Sequence, residues 1–525
     1  MEAEKQELQV INEPQPSPKN QVTEVDTLKQ PQDQNPQDGT LPVKKEDKPS
    51  AEHYEESPYR FYVVVAYFLL TFANGFQWVT FSSCADNFGT AYDMPSWKVN
   101  MFSLIYMIIY PFVCIPQGYL VDAYSTRLGL IIAAACTLLG AGLKLLVNKS
   151  MACVFIGQIL AGLFQPAILN SPGKIAANWF RVNVRTLITT ICCISDTIGI
   201  LVGFVFHCII IDDKLDPELN RDEYKDDFYN YIFWEFIVNL VFCLPTFFIF
   251  YNKPKYPPSP SQAEVEKPPL LESLKLLFTN IRFIYLLIAT CFVVGYYDVY
   301  GTILNSYLAL YDISDNQASY IYAVSSAVGI VASIIISALL DKYKKFKLFM
   351  IVLVILGTIF QALFTILLEV SLHHESLNQY AIGMVLYTLV TAILIPFYTI
   401  GMNYACEITY PVGESINGGI MMTMSQISGI AGTFGCDALI NDYEDAKYAS
   451  NVVLLIFFVI ACVFVFLFDE KLERYEVEKA GRKKEIGDGK ENTLPKEEGN
   501  NKEGTNTPPE QQEQNVSPSP EQQMV

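Results

Sequence analysis

Charge is scarce in this chain. Only 17% of the residues are Asp, Glu, Lys or Arg, against 51% hydrophobic and 13% aromatic, and the mean hydropathy is +0.25. A soluble chain of 525 residues with that balance would leave too much apolar surface in water. Bases are outnumbered, 36 to 55, and form no continuous basic face, which argues against a nucleic-acid partner. With four histidines the chain has no Cys–His spacing suited to zinc or to covalent haem, so no metal is expected. No Walker motif is present, so ATP is not the direct drive. No Ser–His or His–Glu constellation falls inside the apolar runs, so no catalytic residues and no cofactor are expected. The twelve cysteines are scattered, and Cys114, Cys136, Cys192, Cys193, Cys243 and Cys291 all lie within apolar runs, as small buried residues do. The N-terminus is polar and acidic, which predicts no cleavable signal; the first apolar helix is expected to direct insertion.

What the chain has in abundance is long apolar runs. They lie near 61–83, 99–121, 128–147, 151–171, 186–211, 231–251, 281–309, 318–340, 348–369, 379–403, 413–440 and 450–468. Each is close to the ~20 residues a bilayer-crossing helix needs. Backbone groups cannot stay unpaired in lipid, and no alternating barrel pattern is visible, so these runs predict helices. The fold class expected is therefore an all-α membrane protein of twelve transmembrane helices in two pseudo-symmetric six-helix bundles.

The net charge of −19 sits largely outside the runs. Residues 1–58 are rich in Gln, Pro, Glu and Lys, and 471–525 end in the same way; both tails are expected to be disordered. Lys and Arg fall in alternate loops: Arg127; Arg181 and Arg185; Lys253, Lys255, Lys267 and Lys275; Lys342, Lys344, Lys345 and Lys347. The loops between them are acidic or neutral, above all Asp212–Asp227; only the loop with Glu407 and Glu414 breaks the alternation. The positive-inside rule then places both termini in the cytoplasm. The plasma membrane is the expected location, an internal membrane the alternative.

The proline-rich stretch 252–280 divides the chain into bundles 59–251 and 281–470. The halves echo each other. Gly118-Tyr-Leu-Val-Asp122-Ala-Tyr124 follows the second run, and Ser337-Ala-Leu-Leu-Asp341-Lys-Tyr343 follows the eighth, 219 residues later. Six plus six helices with this repeat resemble the major facilitator superfamily, whose loop pattern is Gly-x-Leu-x-Asp-Arg-x-Gly-Arg. Gly118, Asp122 and Arg127, with Asp341 in the second copy, are the expected conformational motif.

Several segments resemble one family within it, the feline leukaemia virus subgroup C receptor-related transporters: Asn74-Gly-Phe-Gln-Trp78, Pro172-Gly-Lys174 through Trp179-Phe180, Lys253-Pro-Lys-Tyr-Pro-Pro-Ser259, Glu407-Ile-Thr-Tyr-Pro411 and Ser425-Gln426-Ile-Ser-Gly429. The family is associated with choline and ethanolamine transport and with a disputed role in haem export. The resemblance implies Trp78 and Gln426 as choline-site residues. Two positions depart from the family: Asp196-Thr197 stands where it reads Asn-Gln, and Asp298, between Tyr297 and Tyr300, where it has a tyrosine.

The residues carry a reading of their own. An ionisable group at mid-membrane costs about 2.5–3.5 kcal/mol on insertion scales. Asp298 and Asp196 therefore mark either a cavity that binds a cation, carboxylates that carry a proton, or carboxylates satisfied by neighbouring hydroxyls. Trp78 is either a headgroup anchor or one wall of an aromatic cage opposite Tyr297. The expected substrate-binding set is Trp78, Gln77, Asp196, Thr197, Tyr297, Asp298, Tyr300 and Gln426. Lys174 is expected to snorkel to the headgroups. The ridges Gly199-x-x-x-Gly203 and Gly329-x-x-x-Ser333-x-x-x-Ser337 are expected to pack closely across the two halves. The function expected is alternating-access transport of a small organic solute, preferably a cation such as choline or ethanolamine, with a central site near the bilayer midplane. Haem is the rival substrate, although intramembrane aspartates argue against an anion, and a non-transporting receptor is the rival class. Proton coupling and the direction of transport are left open; the partners expected are the substrate and the bilayer, and the protein is expected to be a monomer.

Overall fold

The apolar runs become helices, long in every case but the interrupted fourth, and the residues at the ends of several explain where they start and stop. In the computed structural model, residues 55–211, 221–249, 251–263, 267–311, 313–372, 378–442 and 448–480 are described. Most of both tails, residues 212–220 of the acidic loop and Asp312 lie outside the described residues. The first bundle comprises α1 (Arg60–Trp78), α2 (Ser96–Tyr119), α3 (Thr126–Lys144), α4 (Met151–Leu163), α5 (Arg185–Ile210) and α6 (Arg221–Phe247). The second comprises α7 (Ile281–Ala309), α8 (Asp315–Tyr343), α9 (Phe346–Leu372), α10 (Gln379–Ile408), α11 (Glu414–Asp442) and α12 (Ala449–Leu467). Side-chain caps satisfy first-turn amides that would otherwise lack partners. Ser125 accepts from Leu128 N at the start of α3, Asn280 from Arg282 and Phe283 N at α7, and Asn378 from Ala381 N at α10. Ser314 and Gln317 form a reciprocal capping box at α8.

Eleven of the described helices are long and apolar enough to cross a membrane. The twelfth long helix, α11, carries Ser415, Asn417, Ser425, Gln426 and Ser428, all buried. It packs between α2 and α7. A helix shielded from lipid by its neighbours can afford polar residues that a lipid-facing one cannot. The lipid-facing helices show the opposite pattern: along α8, Val324, Val328, Val331, Ile335 and Leu339 are exposed at helical spacing.

The fourth run, expected as one span, is one span, Met151–Leu169, with an interruption inside it. α4 stops at Leu163 and a short helix, Gln165–Leu169, follows. Pro166 has no N–H to continue the ladder. Gln117 of α2 bridges the break: its Nε2 donates to Leu163 O (2.6 Å) and its Oε1 accepts from Ala167 N (3.0 Å). The segment continues as the helix Pro172–Trp179 at the basic end of the fold.

Between the halves the closest packing is α2 with α11 and α5 with α8. Each pair joins the second helix of one half to the fifth of the other, the arrangement a pseudo-twofold axis requires. The small-residue ridges serve this only in part. A Cβ on Gly199 would come within 2.2 Å of Phe72 O, so the Gly199–Gly203 ridge lies against α1 of its own half. Gly329 likewise faces Thr391 and Ile395 of α10. Only the end of the second ridge crosses, where the Ser337 and Thr190 hydroxyls share a hydrogen bond of 2.7 Å. A helix has two sides, and spacing alone does not say which neighbour a ridge meets. The tail expected from 471 onward is ordered at its start: residues 473–480 are helical, with Arg474 and Glu478 buried.

Candidate functional site

A cavity lies between the halves, about 50 Å³ in the space open to water centres, room for a few waters or a small headgroup. On α7 the helical period puts Val293, Val294, Tyr297 and Asp298 on one stripe facing it. Across from them α5 contributes Asp196, Thr197 and Ile200, and α1 ends there with Trp78. Gln426 and Met422 of α11 and Tyr398 of α10 complete much of the wall. Among the described residues lining it there is no Lys, Arg or His.

Trp78 is no headgroup anchor. It is 6% exposed, against 59% for Trp97, and its Nε1 donates to Ser103 O (3.1 Å). That bond uses the polar edge of the indole, and the apolar body lines the cavity. Gly301 lies against the ring: a Cβ there would be 3.2 Å from it.

Six of the expected residues, Trp78, Asp196, Thr197, Tyr297, Asp298 and Gln426, thus share one cavity. Gln77 and Tyr300 do not line it. Gln77 turns into the first bundle, where its amide, oriented to satisfy both atoms, donates to Thr137 O (3.2 Å) and accepts from Ala141 N (2.9 Å). Tyr300 is buried against Tyr296 and Tyr387 with its hydroxyl on Asn451. Met107, Gln165 and Tyr398 also line the wall and were not anticipated. Gln165 had a signal: a polar residue beside a proline inside an apolar run, where a broken helix often marks a site.

Asp122 and its relatives close the basic end. α2 passes into a wide π-type turn, Leu120–Tyr124, that carries Asp122. Its Oδ2 accepts from Ser415 N (3.0 Å) and Ile416 N (2.9 Å), the first turn of α11. Gly118 meets the same turn; a Cβ on it would lie 3.3 Å from Ser415 O. Lys174 stands 3.4 Å and Lys267 3.7 Å from Asp122 Oδ1. Lys174 is therefore buried and ion-paired, not snorkelling, because a carboxylate closer than the headgroups takes its charge. Lys267 also pairs with Glu414, which Arg474 reaches at 3.1 Å. Burial opposes the Lys267 ammonium, but Glu414 and then Asp122 outweigh it and hold its pKa above the ordinary lysine value. In the second copy, Asp341 Oδ2 accepts from Leu187 N of α5 (2.9 Å) while Lys344 pairs with Oδ1 (2.7 Å). Arg127 contributes here through its backbone N–H, which donates to Asn252 Oδ1 (3.2 Å). The last buried contacts tie Arg185 of α5 to Glu478 (3.3 Å) and to Ser259 Oγ (2.9 Å). At the opposite end the halves meet where Asn305 Nδ2 donates to Ser83 O (3.2 Å) and Phe204 stacks on Tyr322 with centroids 4.2 Å apart.

This arrangement, a central cavity between two bundles with interlocking contacts at both ends, suits a carrier. The family model of the Major Facilitator Superfamily matches residues 63–433. The chain belongs to the major facilitator superfamily. It is a multi-pass membrane transporter of a small molecule, not an enzyme. It is similar to the choline/ethanolamine transporter FLVCR1 of Felis catus, 26% identical over 426 residues, covering 80% of this chain and 74% of the relative. It is also similar to the choline/ethanolamine transporter FLVCR2 of Homo sapiens, 25% identical over 435 residues, covering 80% and 79%. Among solved structures, the E. coli fucose:proton symporter FucP superposes with a TM-score of 0.57 at 14% identity over 78% of this chain and 98% of that one. A double-Trp variant of XylE superposes at 0.60 and 13% identity, over 81% and 100%. Both share the fold.

Proposed function

We propose that this transporter carries a small organic cation of the choline or ethanolamine class by alternating access. The observation that carries the reading is the wall of the cavity: two aspartates, the rings of Trp78, Tyr297 and Tyr398, and no basic residue among those lining it. Aromatic faces attract an ammonium group through the ring quadrupole, and a carboxylate in a partly dry space attracts it through a weakly screened charge. The missing bases argue against the propionates of a porphyrin. The relatives' transport of choline and ethanolamine lends support at distant identity.

The motif aspartates would then be the closures that alternate. With the basic end in the cytoplasm, release of Asp122 from α11 and of Asp341 from α5 opens the inner side, while the Phe204–Tyr322 and Asn305–Ser83 contacts hold the outer one. The test is uptake by the full chain in reconstituted vesicles, with choline, ethanolamine and haem side by side. Saturable uptake of an ammonium solute is expected. Binding without flux would make the protein a receptor, and flux of haem alone would overturn the cation reading.

A further inference from the structure

The cavity holds two carboxyl groups, one more than a single ammonium can pair with. Asp196 comes from α5 in the first half and Asp298 from α7 in the second, and both line the same space. Asp298 is 5% exposed, and its Oδ2 has no hydrogen-bond partner. Asp196 Oδ1 has none either. Each carboxylate packs on a glycine of a neighbouring helix. A Cβ on Gly75 of α1 would fall 2.6 Å from Asp196 Oδ1, and one on Gly429 of α11 would fall 3.3 Å from Asp298 Oδ2. Those surfaces offer bulk but no side-chain donor, so neither acid is consumed in a structural pair through these oxygens. A buried carboxylate is stable when charge-assisted hydrogen bonds meet it.

We propose that the substrate is a small diammonium solute, whose two N–H-bearing cationic ends meet Asp196 and Asp298. This rests on the cation reading of the cavity and narrows it. A quaternary ammonium has no N–H to give, and a single primary ammonium satisfies one acid and leaves the other bare. A primary ammonium at each end brings three donors to each carboxylate. Because the acids belong to opposite halves, a solute that bridges them also ties the halves together around the cargo. Tyr297, next to Asp298, keeps its hydroxyl on Tyr322 (2.8 Å), so the rings line the methylene body of such a solute while the acids take its ends.

The test is a binding titration of the purified full-length protein in nanodiscs at neutral pH and fixed salt, with putrescine, ethanolamine and choline as ligands. Putrescine is expected to bind about tenfold or more tightly than ethanolamine, a gap of roughly 1.4 kcal/mol. Asp298→Asn is expected to erase that preference, lowering putrescine affinity by about tenfold more than it lowers ethanolamine affinity, because Asp196 remains to hold one ammonium. Asp298→Glu, which keeps the charge, is expected to keep the preference. It also shows that a loss in the amide variant is not misfolding, as does an unchanged melting temperature. Putrescine binding no tighter than ethanolamine, or a preference that survives Asp298→Asn, overturns the proposal. If choline or ethanolamine binds and putrescine does not, the diammonium proposal alone falls. If none of the three binds or is taken up, the cation reading itself falls.

Discussion

Asp122 and Asp341 stand 219 residues apart, and each accepts hydrogen bonds from the first turn of the fifth helix of the opposite half. A carboxylate there meets both free amides and the positive end of the helix dipole. The repeat in the sequence thus becomes one interlock used twice, once on α11 and once on α5.

The interlock should govern access from the basic end. Charge at a helix N-terminus is worth about 0.3–1 kcal/mol at a surface and up to ~2 kcal/mol when partly buried. Asp122→Asn should therefore shift the balance toward opening by roughly twofold to thirtyfold. The check is the rate at which a thiol reagent labels Thr190→Cys from the basic side, in a background with the other cysteines replaced. Labelling unchanged by Asp122→Asn would make the contact incidental.

Trp78 should act through its ring face. Trp78→Ala should weaken ammonium binding by about 2 kcal/mol or more if the site is desolvated. Trp78→Phe should lose less, since it keeps a ring and gives up only the bond to Ser103 O, worth about 1 kcal/mol. Equal losses in a binding titration, at equal expression, would assign the residue to packing.

Gln117 should matter for stability more than for affinity. Its removal takes the side-chain donor from Leu163 O at the break in the fourth segment, while Ala167 N keeps its bond to Phe164 O (3.2 Å), and an unpaired buried group costs about 1–3 kcal/mol. Gln117→Leu should lower the melting temperature in detergent, and Gln117→Glu, whose carboxylate cannot donate to Leu163 O, should lower it as well. A Leu variant as stable as the parent would mean the break needs no bridge.

Lys144 and Glu235 form an ion pair wholly buried between α3 and α6, joined by the Thr80 hydroxyl (2.9 Å to Glu235 Oε1, 3.1 Å from Lys144 Nζ). Neither residue lines the central cavity. Removing one partner strands a buried charge and should cost about 3–5 kcal/mol, whereas Lys144→Met with Glu235→Gln should recover much of it. Thermal melting of the two single variants and the double one checks this. Additive losses would show that the two charges do not depend on each other.

Topology is open to a direct test. The alternation of Lys and Arg predicts tags at both termini on the cytoplasmic side and the loop around Asp212–Asp227 outside. Protease protection that puts the tags on opposite sides would contradict it.

The sequence by itself determined the number and order of the long helices. Apolar length and backbone hydrogen bonding leave a chain in lipid little choice. It also determined the two halves through the Asp122 and Asp341 repeat, and it located the unusual acids Asp196 and Asp298, because charge inside an apolar run is visible at once. What it could not decide was direction. Gln77 and Trp78 are adjacent and both polar enough to suggest a site, yet Gln77 is satisfied inside the first bundle while Trp78 lines the cavity. Tyr300 looked like a partner of Tyr297, but it is buried within the second bundle with its hydroxyl on Asn451. Lys144 and Glu235, 91 residues apart, became a buried pair, and Lys174 found Asp122 before it could find the headgroups. Each of these depends on which face of a helix meets which neighbour. That is fixed by packing between segments distant in sequence, so only the tertiary structure could supply it.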